Sequence, residues 1–350
     1  MGLTVGSAIA STWYRIVDRN PVARFVDTIL EGAGQVMLQG NAATGLLFLA
    51  GICWGAVATD AAAVAVGAVV GLVVATVTGM LLNSDDASMR AGMYGFNGIL
   101  VGVAIPTFLA GGAMLWVYLV LGAAASTVVF MAVANVFKTW GAPALTFPFN
   151  LVMWLFVLAA FQFLRIRTSP LAEGQFPQRV DVTAARADIT AGYLWDALFR
   201  NVSQVFLIRD TVAGIVFVIA LLVASRWAAV FALAGSAVAT AVVLAVGADA
   251  AAVGNGLYGF NAVLTAIALG TVFYEPSWRV LGYTIFAVLV TVVVHAALLS
   301  AFAPISLPVG TAAFVIATWL FLLPKKRFVP VQHDTIRGGA AEPRQSSGSA

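Results

Sequence analysis

Tyr94-Gly95-Phe96-Asn97-Gly98-Ile99-Leu100 returns later in the chain as Tyr258-Gly259-Phe260-Asn261-Ala262-Val263-Leu264. Two further blocks recur in the same order around it. Upstream, Gln35-Val36-Met37-Leu38 matches Gln204-Val205-Phe206-Leu207, and Asn41…Gly45 matches Asp210…Gly214. Downstream, Leu145-Thr146-Phe147-Pro148-Phe149 pairs more loosely with Ile305-Ser306-Leu307-Pro308-Val309. The offsets are 169, 164 and 160 residues, and three blocks in register mark an internal duplication.

What surrounds the blocks identifies their solvent. The 350 residues are 61% hydrophobic and 9% charged, with a mean hydropathy of +0.98. A soluble domain is about 25% charged, so this chain cannot coat a surface that faces water. Apolar windows near the length of a bilayer crossing recur throughout. Five of them, at 42–59, 61–82, 91–110, 111–137 and 143–164, precede residue 165. Five more follow residue 210, at 211–225, 227–247, 254–274, 278–302 and 304–323. The expectation is an all-α polytopic membrane protein with about ten spans. The segments 22–40 and 194–209 are too polar to span, and each reads as a short helix reaching partway into the membrane. The expected layout is a first repeat at 1–165, a polar connector at 166–190, a second repeat at 191–324 and a disordered polar tail at 325–350.

An odd number of spans per copy turns the second copy upside down. Arg90, Lys138, Arg226, Arg279 and the run Lys325-Lys326-Arg327 then share one side. The short loops of the other side, near Asp60, Gly111, Asp249 and Ala303, carry no Lys or Arg. That asymmetry predicts cytoplasmic termini in a plasma or inner membrane. An inverted repeat also brings equivalent residues together near the midplane.

Composition excludes several chemistries. One cysteine, Cys53, and two histidines, His295 and His333, leave no set of metal ligands, and no cofactor is expected. No His or carboxylate lies in a span near a Ser or Cys, so an enzyme is not expected. The pI of about 9.2 comes from basic residues at span ends; it is a topology signal and implies no nucleic-acid partner. Cys53 and His295 read as packing residues, and Gly67-x-x-x-Gly71 as a helix contact.

The polar residues that recur in both copies are the candidate site. Gln35 and Gln204 offer uncharged donors and acceptors near the tips of the two short helices. Thr146 sits in a cap-like position before Pro148, and Ser306 before Pro308 repeats the device. Leu100 and Leu264, one turn into their spans, supply apolar walls. Phe96, Asn97, Phe147, Pro148, Phe149, Phe260, Asn261 and Pro308 read as structural residues beside the pathway. No ionisable group stands at the midplane, where a bare ion would lose its hydration without a counter-charge. The fitting solute is small, neutral and strongly hydrogen-bonding; urea, formamide, ammonia and glycerol all satisfy that chemistry.

The duplicated blocks Gln35-Val-Met-Leu…Asn41…Gly45, Tyr94-Gly-Phe-Asn-x-x-Leu100 and Leu145-Thr-Phe-Pro-Phe149 resemble the urea transporter family over residues 25–323. The resemblance implies a homotrimer among membrane lipids, with one pore per protomer and passive, channel-like permeation of urea through a narrow filter. It implies that Gln35 and Gln204 flank the solute, that Leu100 and Leu264 line a slot, and that Thr146 stands at the constriction with Ser306 as its partner. The chain departs from the family pattern at Asn41-Ala42 and Asp210-Thr211, where Asn-Pro is common. It departs again at Leu38 and Leu207, where phenylalanine is common, and at Leu307-Pro308-Val309. Ammonium channels use paired pore histidines and aquaporins use two Asn-Pro-Ala boxes; this chain has neither. A pore for short amides or ammonia is the nearest alternative.

Overall fold

Glycines spaced four apart in an apolar run let two helices meet backbone to backbone in lipid, where packing rather than the hydrophobic effect holds them. The computed structural model, which describes residues 12–13, 15–82, 85–110, 112–169, 174–181 and 188–324, uses this device in its first half. The helices there are α1 (Pro21–Gln35), α2 (Ala42–Ala58), α3 (Ala62–Leu81), α4 (Asp86–Arg90), α5 (Phe96–Phe108), α6 (Ala113–Lys138) and α7 (Phe147–Ala160). Gly67 and Gly71 of α3 lie against Gly98 and Gly102 of α5 so closely that a Cβ on any of the four would strike the neighbouring helix. The expected Gly67-x-x-x-Gly71 contact is this seam.

The second half repeats the order with α8 (Ala191–Ser203), a 3₁₀ turn (Gln204–Phe206), α9 (Thr211–Ala224), α10 (Arg226–Ala245), α11 (Ala250–Gly254), α12 (Phe260–Ile267), α13 (Trp278–Phe302) and α14 (Ala312–Leu322). Helix α12 runs on into a π turn over Ala268–Val272. A two-residue antiparallel pairing, Leu109–Ala110 with Arg167–Thr168, ties the connector to the end of α5. Gln175 N–H donates to the Ala303 carbonyl at 3.1 Å and ties the connector to the second half. The connector residues 170–173 and 182–187, the tail from 325 onward and His333 lie outside the described residues.

The chain is an all-α membrane protein, and each apolar window holds a helix. The helices are unequal, however. Among the described residues α3, α6, α10 and α13 are long and apolar enough to cross a bilayer alone, and a fifth crossing arises if α8 and α9, bent by 75°, count as one. Helices α2, α5, α7, α14 and the α12–π segment are shorter apolar helices of 10–17 residues. Helix α2 fills its window, but the windows overstated the others because hydropathy does not register unwinding. Residues 142–146 and 306–311 are largely apolar but run as turns and irregular chain.

The two halves meet through α2 and α9. Phe48 of α2 packs against Phe206 and Phe217, with ring centroids 5.4 and 5.3 Å away, and the latter two are 5.1 Å apart. Thr44 Oγ1 also donates to the Ala220 carbonyl at 2.9 Å. All three rings are fully buried, and such aromatic contacts add roughly 0.5–1.5 kcal/mol each beyond area burial.

Candidate functional site

Helix α1 ends at Gln35, α8 is followed directly by Gln204, and both glutamines are anchored alike. Gln35 Nε2 donates to the Ala91 carbonyl and Gln204 Nε2 to the Asn255 carbonyl, each at 2.9 Å. Those carbonyls belong to the turns that lead into the Tyr-Gly-Phe-Asn blocks. Anchoring each NH₂ group orients its amide and leaves Oε1 as an acceptor that no described residue engages. Three residues on, Leu38 and Leu207 adopt left-handed backbone at φ 62° and 56°. A branched residue there is strained by about 1–2 kcal/mol, and the same strain at both sites is tolerated only where the surroundings enforce it.

The Tyr-Gly-Phe-Asn blocks reach from these turns to the centre. Asn97 Oδ1 accepts from Phe149 N–H at 3.0 Å, and Asn261 Oδ1 from Phe314 N–H at 2.9 Å. Each Asn therefore satisfies a first-turn donor of α7 or α14, donors that a helix cannot satisfy internally. Leu100 and Leu264, one turn deeper, are 1% and 0% exposed.

Thr146 precedes α7 without capping it. Its hydroxyl instead meets the hydroxyl of Thr311 at 2.6 Å, across 165 residues of sequence. Thr311 holds the matching place before α14, and both are 2% exposed. Asn150 completes the group: its Nδ2 donates to Thr311 Oγ1 at 3.0 Å and to the Thr146 carbonyl at 2.9 Å, while its Oδ1 accepts from Thr311 N–H at 2.9 Å. The two unwound segments are clamped reciprocally. Trp154 Nε1 donates to the Pro308 carbonyl and Trp319 Nε1 to the Pro143 carbonyl, both at 2.8 Å.

This geometry corrects the expected alignment of the third block. Ser306 does not face Thr146; it closes a 3₁₀ turn in left-handed conformation at φ 52° and is half-buried. Pro308 does not begin a helix as Pro148 does, but serves as the counterpart of Pro143. The residue that sequence reading missed is Thr311. The spacing Pro143…Thr146…Trp154, repeated as Pro308…Thr311…Trp319, was the signal that could have found it.

A cavity of about 1060 Å³ opens beside the first-half residues. Gln35, Leu38, Tyr94, Phe96, Phe130 and Leu145 line it, together with Asp85 and Lys138. Asp85 accepts from Ser88 N–H at 2.8 Å, a bond that holds its carboxyl below the usual carboxylate range. Among the described residues the buried polar side chains, Asp27 and His295 apart, are of uncharged types. Asp27 is the one buried acid among the described residues, and it lies on α1 with Trp13 Nε1 donating to it at 2.6 Å.

Four or five helices long and apolar enough to cross a bilayer, with shorter apolar helices packed among them, define an integral membrane protein. The chain belongs to the urea transporter family, whose sequence model matches residues 26–326. It is 29% identical to urea transporter 1 of Rattus norvegicus over 313 residues, which cover 87% of this chain and 78% of that relative. The relatives of the same name from Ovis aries and Capra hircus are 30% and 29% identical over equal shares. Members of this family are transporters and not enzymes.

Proposed function

We propose that this protein conducts urea passively, as a channel, through a narrow uncharged passage between two inverted halves. In this reading each half contributes five spans and one half-helix, over 1–165 and 191–324, with 166–190 as connector. The paired glutamine anchors, the paired left-handed leucines and the reciprocal Trp–Pro clamps support a two-fold relation between the halves. The basic residues Arg90, Lys138, Arg226 and Arg279 support cytoplasmic termini. Membership in the family supports urea as the solute and a homotrimer in a plasma or inner membrane as the functional unit.

One observation carries the mechanism: two threonine hydroxyls, one from each half, meet at 2.6 Å, and each half also holds a glutamine whose Oε1 no described residue engages. Urea is planar and neutral, with four N–H donors and one carbonyl acceptor. Glutamine Oε1 and threonine Oγ1 atoms would accept its N–H groups in turn. Leu38, Leu100, Leu207 and Leu264 would press on its faces and exclude thicker solutes. Each hydrogen bond replaces one lost to water, so the barrier stays low for a solute that carries no charge. An ion would lose several kcal/mol of hydration without compensation.

Stopped-flow light scattering of proteoliposomes tests this. Urea should re-equilibrate far faster than in protein-free vesicles, with no ion gradient imposed. Formamide or ammonia crossing readily while urea does not would replace urea with the smaller solute. No accelerated solute flux at all would overturn the channel reading.

A further inference from the structure

His295 on α13 is 2% exposed and stands beside the second of the two Tyr-Gly-Phe-Asn blocks. Its ring sits edge-on to Tyr258 and Phe260, with centroids 5.6 Å from both. In the first half Phe130 takes that place, edge-on to Tyr94 and Phe96 at 5.7 and 5.5 Å. The two halves therefore use rings of similar outline but different chemistry.

The difference falls on the asparagines. Asn261 Oδ1 accepts from Phe314 N–H, which identifies the other end of the amide as NH₂. That NH₂ group donates to the Gly310 carbonyl and faces His295 Nδ1, each at 3.1 Å. A donor facing Nδ1 makes it the acceptor, so a neutral imidazole carries its proton on Nε2. Asn261 is thus held at three points. Phe130 offers no acceptor, and Asn97 Nδ2 is buried without a partner. His295 Nε2 likewise has no partner at full hydrogen-bond geometry, although the Leu257 backbone lies near enough to act on the ring, and the side-chain hydrogen bond of the ring runs through Nδ1.

We infer that His295 is a positioning residue of the solute pathway: its Nδ1 lone pair locks the Asn261 amide, which holds the Gly310 carbonyl and the first turn of α14, and thereby aims the Thr311 hydroxyl at Thr146. The inference rests on the reading of that hydroxyl pair as the constriction. Gly310 is in left-handed conformation at φ 58°, and Thr311 follows it directly, so a shift of this turn is a shift of the hydroxyl.

Two substitutions separate the lone pair from the ring's bulk. His295→Phe keeps the volume, copies the first half and removes the acceptor. His295→Asn loses volume but keeps an oxygen where Nδ1 was. Urea permeability per folded protein is measured for both in proteoliposomes, alongside N-methylurea and the wild-type chain, with size-exclusion elution confirming the folded state. The expected result is that His295→Phe loses about fivefold in urea flux, the loss of one hydrogen bond, and narrows the urea to N-methylurea ratio, while His295→Asn keeps most of both. Equal loss in both variants, loss confined to His295→Asn, or no change in His295→Phe would each overturn the inference. Wild-type vesicles no more permeable to urea than protein-free ones would instead overturn the urea reading, which keeps the two failures distinct.

Discussion

Thr146 and Thr311 are each the residue before a helix, a place where a hydroxyl ordinarily turns back to its own first-turn N–H groups. Here Asn97 and Asn261 reach the first turns of α7 and α14 in their stead, and the hydroxyls are released to meet each other. Thr146→Val and Thr311→Val should each raise the barrier by about 1 kcal/mol, roughly fivefold in urea permeability. The double variant should cost clearly less than the sum, because either change alone breaks the shared bond; full additivity in stopped-flow rates would show that the pair does not act as a unit. Gln35→Leu and Gln204→Leu should slow urea strongly while the protein still elutes as a folded species. Unchanged rates in both would remove the glutamines from the site. The glutamines were legible in the sequence because each stands in a copied tetrapeptide. Thr311 was not, because Ala312-Ala313 does not copy Phe147-Pro148, and the nearby Ser306-x-Pro308 imitates Thr146-x-Pro148 in the wrong register.

At the level of elements, helix identity followed hydropathy and helix extent did not. Burial in lipid demands apolar side chains whether the backbone is coiled or unwound, so composition cannot mark where α7 and α14 begin. The breaks survive because their backbone groups are satisfied by other elements, as an unwound segment at membrane depth requires. Trp154 and Trp319 do part of this for Pro308 and Pro143. Trp154→Phe leaves the Pro308 carbonyl without its donor and should cost about 1–3 kcal/mol of stability, read as a lower melting temperature in detergent. An unchanged melt would mean that the carbonyl has another donor. The α3–α5 seam is tighter still. A Cβ at Gly71 would collide with the Gly98 carbonyl, so Gly71→Ala should destabilise the fold by about 1–3 kcal/mol. A melt as high as that of the wild type would disprove the close approach.

For the whole molecule, the decisive quantity is charge at depth. Among the described residues Asp27 and His295 are the buried titratable side chains with carboxylate or imidazole groups, and both are engaged by other side chains. Urea flux should therefore be the same with and without a sodium gradient across the vesicle membrane. A several-fold acceleration by inward sodium would point to a coupling site beyond the buried groups of the described residues. The sequence was sufficient for the solvent of the chain, its all-helical class and its recurring blocks, because too few charges, long apolar windows and repeated motifs are properties of composition and order. It could not supply the pairing of Thr146 with Thr311, the lock of His295 on Asn261, or the length of each helix. Those depend on which backbone groups find partners across 34 to 165 residues of chain, and a hydrogen bond over that distance leaves no local trace in the residues that make it.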